Sequence, residues 1–206
     1  MTDILTHIDA GVMTLTFNRL DKKNAITSVM YGQMADAIAQ AQTDAAVRVV
    51  VIQGHESIFS AGNDIGDFLQ YPPSTPQANV FRFLRGIASL EKPLLAAVAG
   101  PAVGIGTTLL FHCDLVYAGD NAAFSMPFVN LGLCPEAASS LLAPQMFGYH
   151  RAAEALLLGE PCCSGSPFTR KPPWRWAWSI VCCRPPRSTL MYRPRLASWR
   201  PSPCRL

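Results

Sequence analysis

Phe59 to Gly66 reads FSAGNDIG. It follows Val47 to Ile52, an almost wholly apolar run that stops at Gly54 and predicts a buried strand covered on both faces. A short polar loop then leads into a helix, with Gly62 at its mouth. Glycine there lets the backbone turn tightly and brings the next N–H groups close to a ligand. Free N–H groups at a helix start favour negative charge, which is what a reaction with a developing oxyanion needs. The same residues also read as an ordinary strand-to-helix loop with a capping residue. The segment alone leaves both readings open.

Working outward, Gly11 to Phe17 alternates apolar Val12, Leu15 and Phe17 with Thr14 and Thr16, the pattern of a strand. Asn18 to Asn24 is a polar turn. Thr27 or Ser28 caps a helix to about Gln42, striped by Met30, Met34, Ile38 and Ala41. Tyr71 to Gln77 carries three prolines and is a loop; a helix follows to Glu91 with Val80, Leu84, Ile87 and Leu90 on one side. Leu94 to Val98 predicts another strand. Gly100, Gly104 and Gly106 crowd a turn before a buried helix over Thr107 to Phe111. Leu115 to Ala118 and Ala122 to Met126 are short strands. Pro135 opens a helix, a position proline tolerates. His150 to Leu158 forms one more, ended by Gly159. The alternation predicts an α/β fold with several parallel connections.

The 206 residues suffice for one domain with a substantial core, and with half of them hydrophobic the chain is globular. No apolar run reaches the ~20 residues that span a membrane. The first residues, MTDILTHIDAG, lack the basic-then-apolar order of a signal peptide, so a cytoplasmic location is expected. The chain divides in composition. Residues 1–160 hold all 14 acidic residues and eight of the 17 Lys and Arg, and form the expected core domain. Residues 161–206 hold no acid, nine basic residues, all four Trp, five of the seven Cys and nine of the 17 Pro.

Such a tail resembles a basic nucleic-acid arm with aromatic platforms. Cys162, Cys163, Cys182 and Cys183 also raise a zinc site, but they come as adjacent pairs rather than CxxC knuckles. The prolines oppose long helices and central strands. An out-of-frame or otherwise unrelated C-terminus fits the composition best, with neither a nucleic-acid partner nor a metal expected. Sequencing the codons around Pro161 tests this reading, which an intact frame relative to relatives opposes.

Four segments together resemble the crotonase superfamily, the enoyl-CoA hydratases and isomerases. They are NRLDKKNAIT (Asn18 to Thr27), FSAGNDIGDF (Phe59 to Phe68), KPLLAAVAGPAVGIGTTLLFHCDLVYAG (Lys92 to Gly119) and FSMPFVNLGLCPEAASSLLAPQMFGYHRAAEALLLGEP (Phe124 to Pro161). The resemblance implies a spiral of ββα units, assembled as a homotrimer or hexamer, acting on acyl-CoA in lipid metabolism. The CoA thioester is then the substrate and no cofactor is needed. The family's C-terminal helices, which cover the acyl pocket and build the trimer, find no match after Pro161. The resemblance also implies that two backbone N–H groups, of Asn63 and Ile105, hold the thioester oxygen. Ala25, Ala61, Gly62, Asp64, Ile65 and Gly104 then lie along the CoA and substrate. Lys22 or Lys23 meets phosphates, or is merely solvated.

Family hydratases use two glutamates, at positions that here hold Thr108 and Phe128. Neither side chain serves as a carboxylate base, so the two-glutamate mechanism does not carry over. Glu136, in NLGLCPEAASS, matches the single base of peroxisomal-type 3-enoyl to 2-enoyl-CoA isomerases. Its neighbours Leu133, Cys134, Pro135, Ala137 and Ala138 are mostly apolar, so desolvation is expected to raise its carboxyl towards the working range. The plainer reading puts Glu136 in a helix's first turn, facing the helix dipole.

Asp64 and Asp67 read as helix-start residues, His112 as a packed core residue and His150 as surface. Cys113 and Cys134 read as buried small residues. Ser139 and Ser140 lack a nearby His–Asp partnership, which argues against a serine hydrolase. Two alternatives to the isomerase stay open: a hydratase or other crotonase reaction with a divergent base, and a truncated, non-catalytic remnant.

Overall fold

The computed structural model describes residues 2–159 and the strand at 180–183. A hairpin of β1 (Ile4–Asp9) and β2 (Val12–Phe17) opens the chain, joined by a two-residue turn at Ala10 and Gly11. The periodic pattern did not reveal β1. Five of its six residues are exposed, so it has no apolar face to read. β3 (Val49–Gln53), β4 (Leu94–Val98) and β6 (Leu115–Gly119) then add to β2, each parallel to its neighbour. The four-residue β8 (Ile180–Cys183) pairs parallel with β6 and closes a six-stranded sheet ordered β1-β2-β3-β4-β6-β8. A second sheet pairs β5 (Pro101–Val103) with β7 (Ala123–Ser125), also parallel. The α/β alternation is therefore as expected, and Val50, Val51 and Ile52 of β3 are all buried.

Among the described residues six α-helices connect the strands. α1 (Ser28–Thr43) starts at Thr27, whose hydroxyl accepts from the Met30 N–H at 3.3 Å. Its predicted stripe of Met30, Met34, Ile38 and Ala41 is buried and packs with Phe83 and Ile87 of α3 (Asn79–Ser89) in the main core. The short α2 (Ile65–Gln70) begins three residues later than Gly62, so the glycine lies in the loop and not at the helix mouth. Asp64 caps it, accepting from the Asp67 N–H at 3.1 Å. α4 (Ile105–Thr108) runs into a 3-10 turn at Leu109–His112.

Pro135 does not open a helix. Ala137 and Ala138 both take left-handed backbone conformations (φ 51° and 54°), and α5 (Ser139–Phe147) starts only after them. α6 (Tyr149–Leu157) follows and, with α5, Phe111, Met126 and Phe128, encloses a second, smaller core.

Among the described residues no helix is long and apolar enough to cross a membrane. Cys162, Cys163 and the side chains of Cys182 and Cys183 lie outside the described residues, as does the rest of the tail on which the zinc, nucleic-acid and out-of-frame readings bear.

Candidate functional site

Three chain-distant segments are stitched together by backbone hydrogen bonds. The early turn meets the FSAGNDIG loop through Ala61 N–H to the Lys23 carbonyl (3.0 Å), Ile26 N–H to Gly62 (2.8 Å) and Asp64 N–H to Ile26 (2.9 Å). The same loop meets the Gly-rich turn through Val103 N–H to the Ser60 carbonyl (2.9 Å). The approach is tight. A Cβ on Gly62 would lie 2.9 Å from the Val103 carbonyl oxygen, and one on Gly106 3.0 Å from that of Ser60. The structure thus brings Ala25, Ala61, Gly62, Asn63, Asp64, Gly104 and Ile105 into one neighbourhood, with Ile65 exposed at the rim. Neither the Asn63 N–H nor the Ile105 N–H donates a hydrogen bond among the described residues.

Two side chains that the sequence reading passed over hold this assembly. Asn24, fully buried, donates to the carbonyls of Ile58 (3.3 Å) and Phe59 (3.1 Å) and accepts from the Arg19 N–H (2.9 Å). Arg19 bonds the Ala25 carbonyl at 2.8 Å and pairs with Asp64 at 2.7 Å. Their signal was a buried asparagine and an arginine inside a segment that looked merely polar. Arg19's hydrogen bond, with help from the Asp67 N–H, holds the Asp64 carboxyl below the usual carboxylate range. Lys22 and Lys23 are exposed.

Glu136 comes to this neighbourhood from the loop before α5. The Asn63 side-chain Nδ2 donates to its carboxylate, 3.3 Å from Oε2 and 3.5 Å from Oε1. Burial raises the Glu136 carboxyl above its ordinary value, and the Asn63 amide pulls it partly back. The direction is the expected one, but the cause is not sequence neighbours: Leu133 and Cys134 are themselves exposed. Shielding comes from where the loop folds against the Asn63 segment. Nor does Glu136 sit in a helix's first turn, since α5 begins three residues on.

The loop is pinned from behind. The His112 ring nitrogen Nε2 lies 2.9 Å from the Ala137 carbonyl oxygen, so His112 is half-buried and bonded rather than simply packed. The carbonyl only accepts, so this nitrogen carries the proton. Two consecutive non-glycine residues in left-handed conformations follow Glu136, local strain of a kind that gathers at functional sites.

Thr108 is fully buried and Phe128 belongs to the second core, so neither place offers a carboxylate. Cys113 is half-buried, its thiol pushed up to about 12 by burial. Cys134 is exposed, which corrects its reading as a buried residue: it lies in the open loop after Gly132. His150 is at the surface. A cleft of about 470 Å³ opens beside Asn63, with Tyr31, Phe68, Tyr71 and Asn79 in its wall.

The enoyl-CoA hydratase/isomerase family model matches residues 7–164, which covers all of these segments. The chain belongs to the enoyl-CoA hydratase/isomerase family. It is 43% identical over 163 residues to rat (Rattus norvegicus) enoyl-CoA delta isomerase 2, an alignment covering 76% of this chain and 41% of that protein. It is 34% identical over 189 residues to the Escherichia coli 1,2-epoxyphenylacetyl-CoA isomerase, covering 88% and 70%. The solved structure of Pseudomonas aeruginosa OdaA superposes with a TM-score of 0.77 at 53% identity, covering 80% of this chain and 66% of that one. The chain thus spans less than half the length of the rat relative. The crotonase-like α/β fold expected from the four segments is the fold of this family member.

Proposed function

We propose that this family member carries the acyl-CoA site of an isomerase that moves a 3-enoyl-CoA double bond to the 2-position. The observation that carries the reading is Glu136: a half-buried carboxylate with a raised proton affinity, bonded to Asn63, where the two hydratase glutamate positions hold Thr108 and buried Phe128.

Glu136 takes a proton from C2 of the substrate, and the electron pair moves into the thioester as an enolate. The unengaged N–H groups of Asn63 and Ile105 hold the enolate oxygen. Such preorganised donors are worth about 3–4 kcal/mol each in a transition state. The protonated Glu136 then returns its proton at C4 while the thioester carbonyl re-forms, leaving the double bond between C2 and C3. Atoms and charge balance with one carboxyl group and no cofactor. The backbone from Ala25 and from Ala61 to Ile65, with Gly104, lies along the CoA and thioester. Assembly as a trimer or hexamer is part of the same proposal.

Glu136→Gln tests it. With a 3-enoyl-CoA substrate the variant should lose about 10²–10⁴-fold in rate, the usual worth of a general base. Activity within about tenfold of wild type rules this base out. Water addition to a 2-enoyl-CoA, assayed in parallel, separates the isomerase from a hydratase.

A further inference from the structure

Tyr31 lies on α1, 32 residues from Asn63 in the chain, yet its hydroxyl donates to the Asn63 side-chain oxygen at 2.5 Å. The ring is 3% exposed and is held against Phe83 with centroids 5.7 Å apart. Asn63 is therefore gripped at both ends: Oδ1 accepts from Tyr31, and Nδ2 donates to Glu136. An asparagine amide has one accepting and one donating end, and its partners decide which way it faces. Turned over, it would set a carbonyl oxygen against a carboxylate.

We infer that Tyr31 is a positioning residue for this site, its hydroxyl fixing the Asn63 side chain so that the amide donors point at Glu136. The inference rests on the reading of Glu136 as the base. The tyrosine is suited to the task because it does not ionise under working conditions. Burial first, and then the charge of Glu136, raise its phenol well above the ordinary value. Other polar and titratable groups of the site are already engaged. Asp64 pairs with Arg19, Asp67 accepts from the Ser28 N–H at 2.7 Å, and His112 bonds the Ala137 carbonyl. The consequence is control of base strength. A donor to the charged form lowers a carboxyl's proton affinity, so releasing Asn63 lets burial raise it further.

The test uses the full chain with 13C-labelled glutamate. The Glu136 carboxyl resonance, assigned by its loss in Glu136→Gln, is titrated in wild type, Tyr31→Phe, Asn63→Ala and the double variant. Each single variant should move the midpoint up by about one pH unit, the size expected for a lost hydrogen bond to a carboxylate. The double variant should move it no further, because both changes break one path. The acid limb of the pH profile of kcat/KM should move with it.

A folded Tyr31→Phe protein with the wild-type midpoint overturns the inference, as does a double variant in which the single shifts add. Should Tyr31→Phe not fold, wild type serves: the Tyr31 ring resonances should shift as Glu136 titrates, and that step should be missing in Glu136→Gln. Its presence there counts against the relay. The carboxyl titration needs no substrate. An active Glu136→Gln protein would remove the proposed reaction while leaving a shifted Tyr31→Phe midpoint intact, so the two failures are told apart.

Discussion

Glu136 and Asp64 are displaced in opposite directions, and each displacement has a stability counterpart. Burial raises the Glu136 carboxyl, so over the window between its unfolded and folded values the native protein keeps a proton that the unfolded chain has lost. Stability contributed by this residue falls as pH climbs through that window and stays lower above it. Glu136→Gln is therefore expected to melt at a higher temperature than wild type near neutral pH, with the gain vanishing in acid. Thermal melts across pH check this, and a gain that persists below the unfolded carboxyl value counts against it. Asp64 behaves in reverse. Its carboxyl is lowered, first by Arg19, so its contribution is full above the unfolded value and disappears as pH falls through the folded one. Asp64→Asn keeps a capping side chain for α2 but loses the ion pair. Its deficit should be present at neutral pH and close in acid, read from the same melts.

Loops carry much of the candidate site, with Ile105 opening α4 and Tyr31 reaching in from α1, and the loop glycines are not equivalent. Gly62 has φ 93° and a carbonyl oxygen 2.9 Å from where a Cβ would go, whereas Gly104 has φ 56° with open space around it. Both Gly62→Ala and Gly104→Ala should cost more than about 1 kcal/mol in urea denaturation, and Gly62→Ala the more, since it meets the Val103 carbonyl oxygen as well as backbone strain. At the place of the second hydratase glutamate, Phe128 is 5% exposed within the α5–α6 core. Phe128→Glu should therefore lower the melting temperature rather than create a water-activating group, because a carboxylate there has no partner.

Elements with a strong period were legible: the α1 stripe of Met30, Met34, Ile38 and Ala41 and the apolar β3 are where their patterns put them. β1 was not, since it faces outward along nearly its whole length. The start of α5 was misplaced because Pro135 mimics a first helical turn, and backbone conformations at Ala137 and Ala138 are invisible in residue type. For the site, the contact between Asn63 and Glu136 spans 73 residues of sequence, and no periodicity marks it. Tyr31 left one clue, a hydroxyl next to the apolar stripe that must find a partner when buried.

Across the molecule, the large core holds the sheet against α1 and α3, while the small one lies under α5 and α6. The candidate site lies beside the large core, in which both Tyr31 and Ala137, the residue after Glu136, are packed. The hydrogen bonds that join it link residues far apart in the chain: Ala61 to Lys23, Ile26 to Gly62, Val103 to Ser60. Bonds of such long range depend on the strands behind them, so the site is a product of the tertiary fold rather than a local motif. The amides of Ala61, Ile26 and Val103 should then exchange with solvent as slowly as those of the central strands, through opening of the whole fold. By the same token a ligand that grips these loops cannot tighten them alone. It should slow exchange throughout the sheet and make the melting temperature depend on ligand concentration.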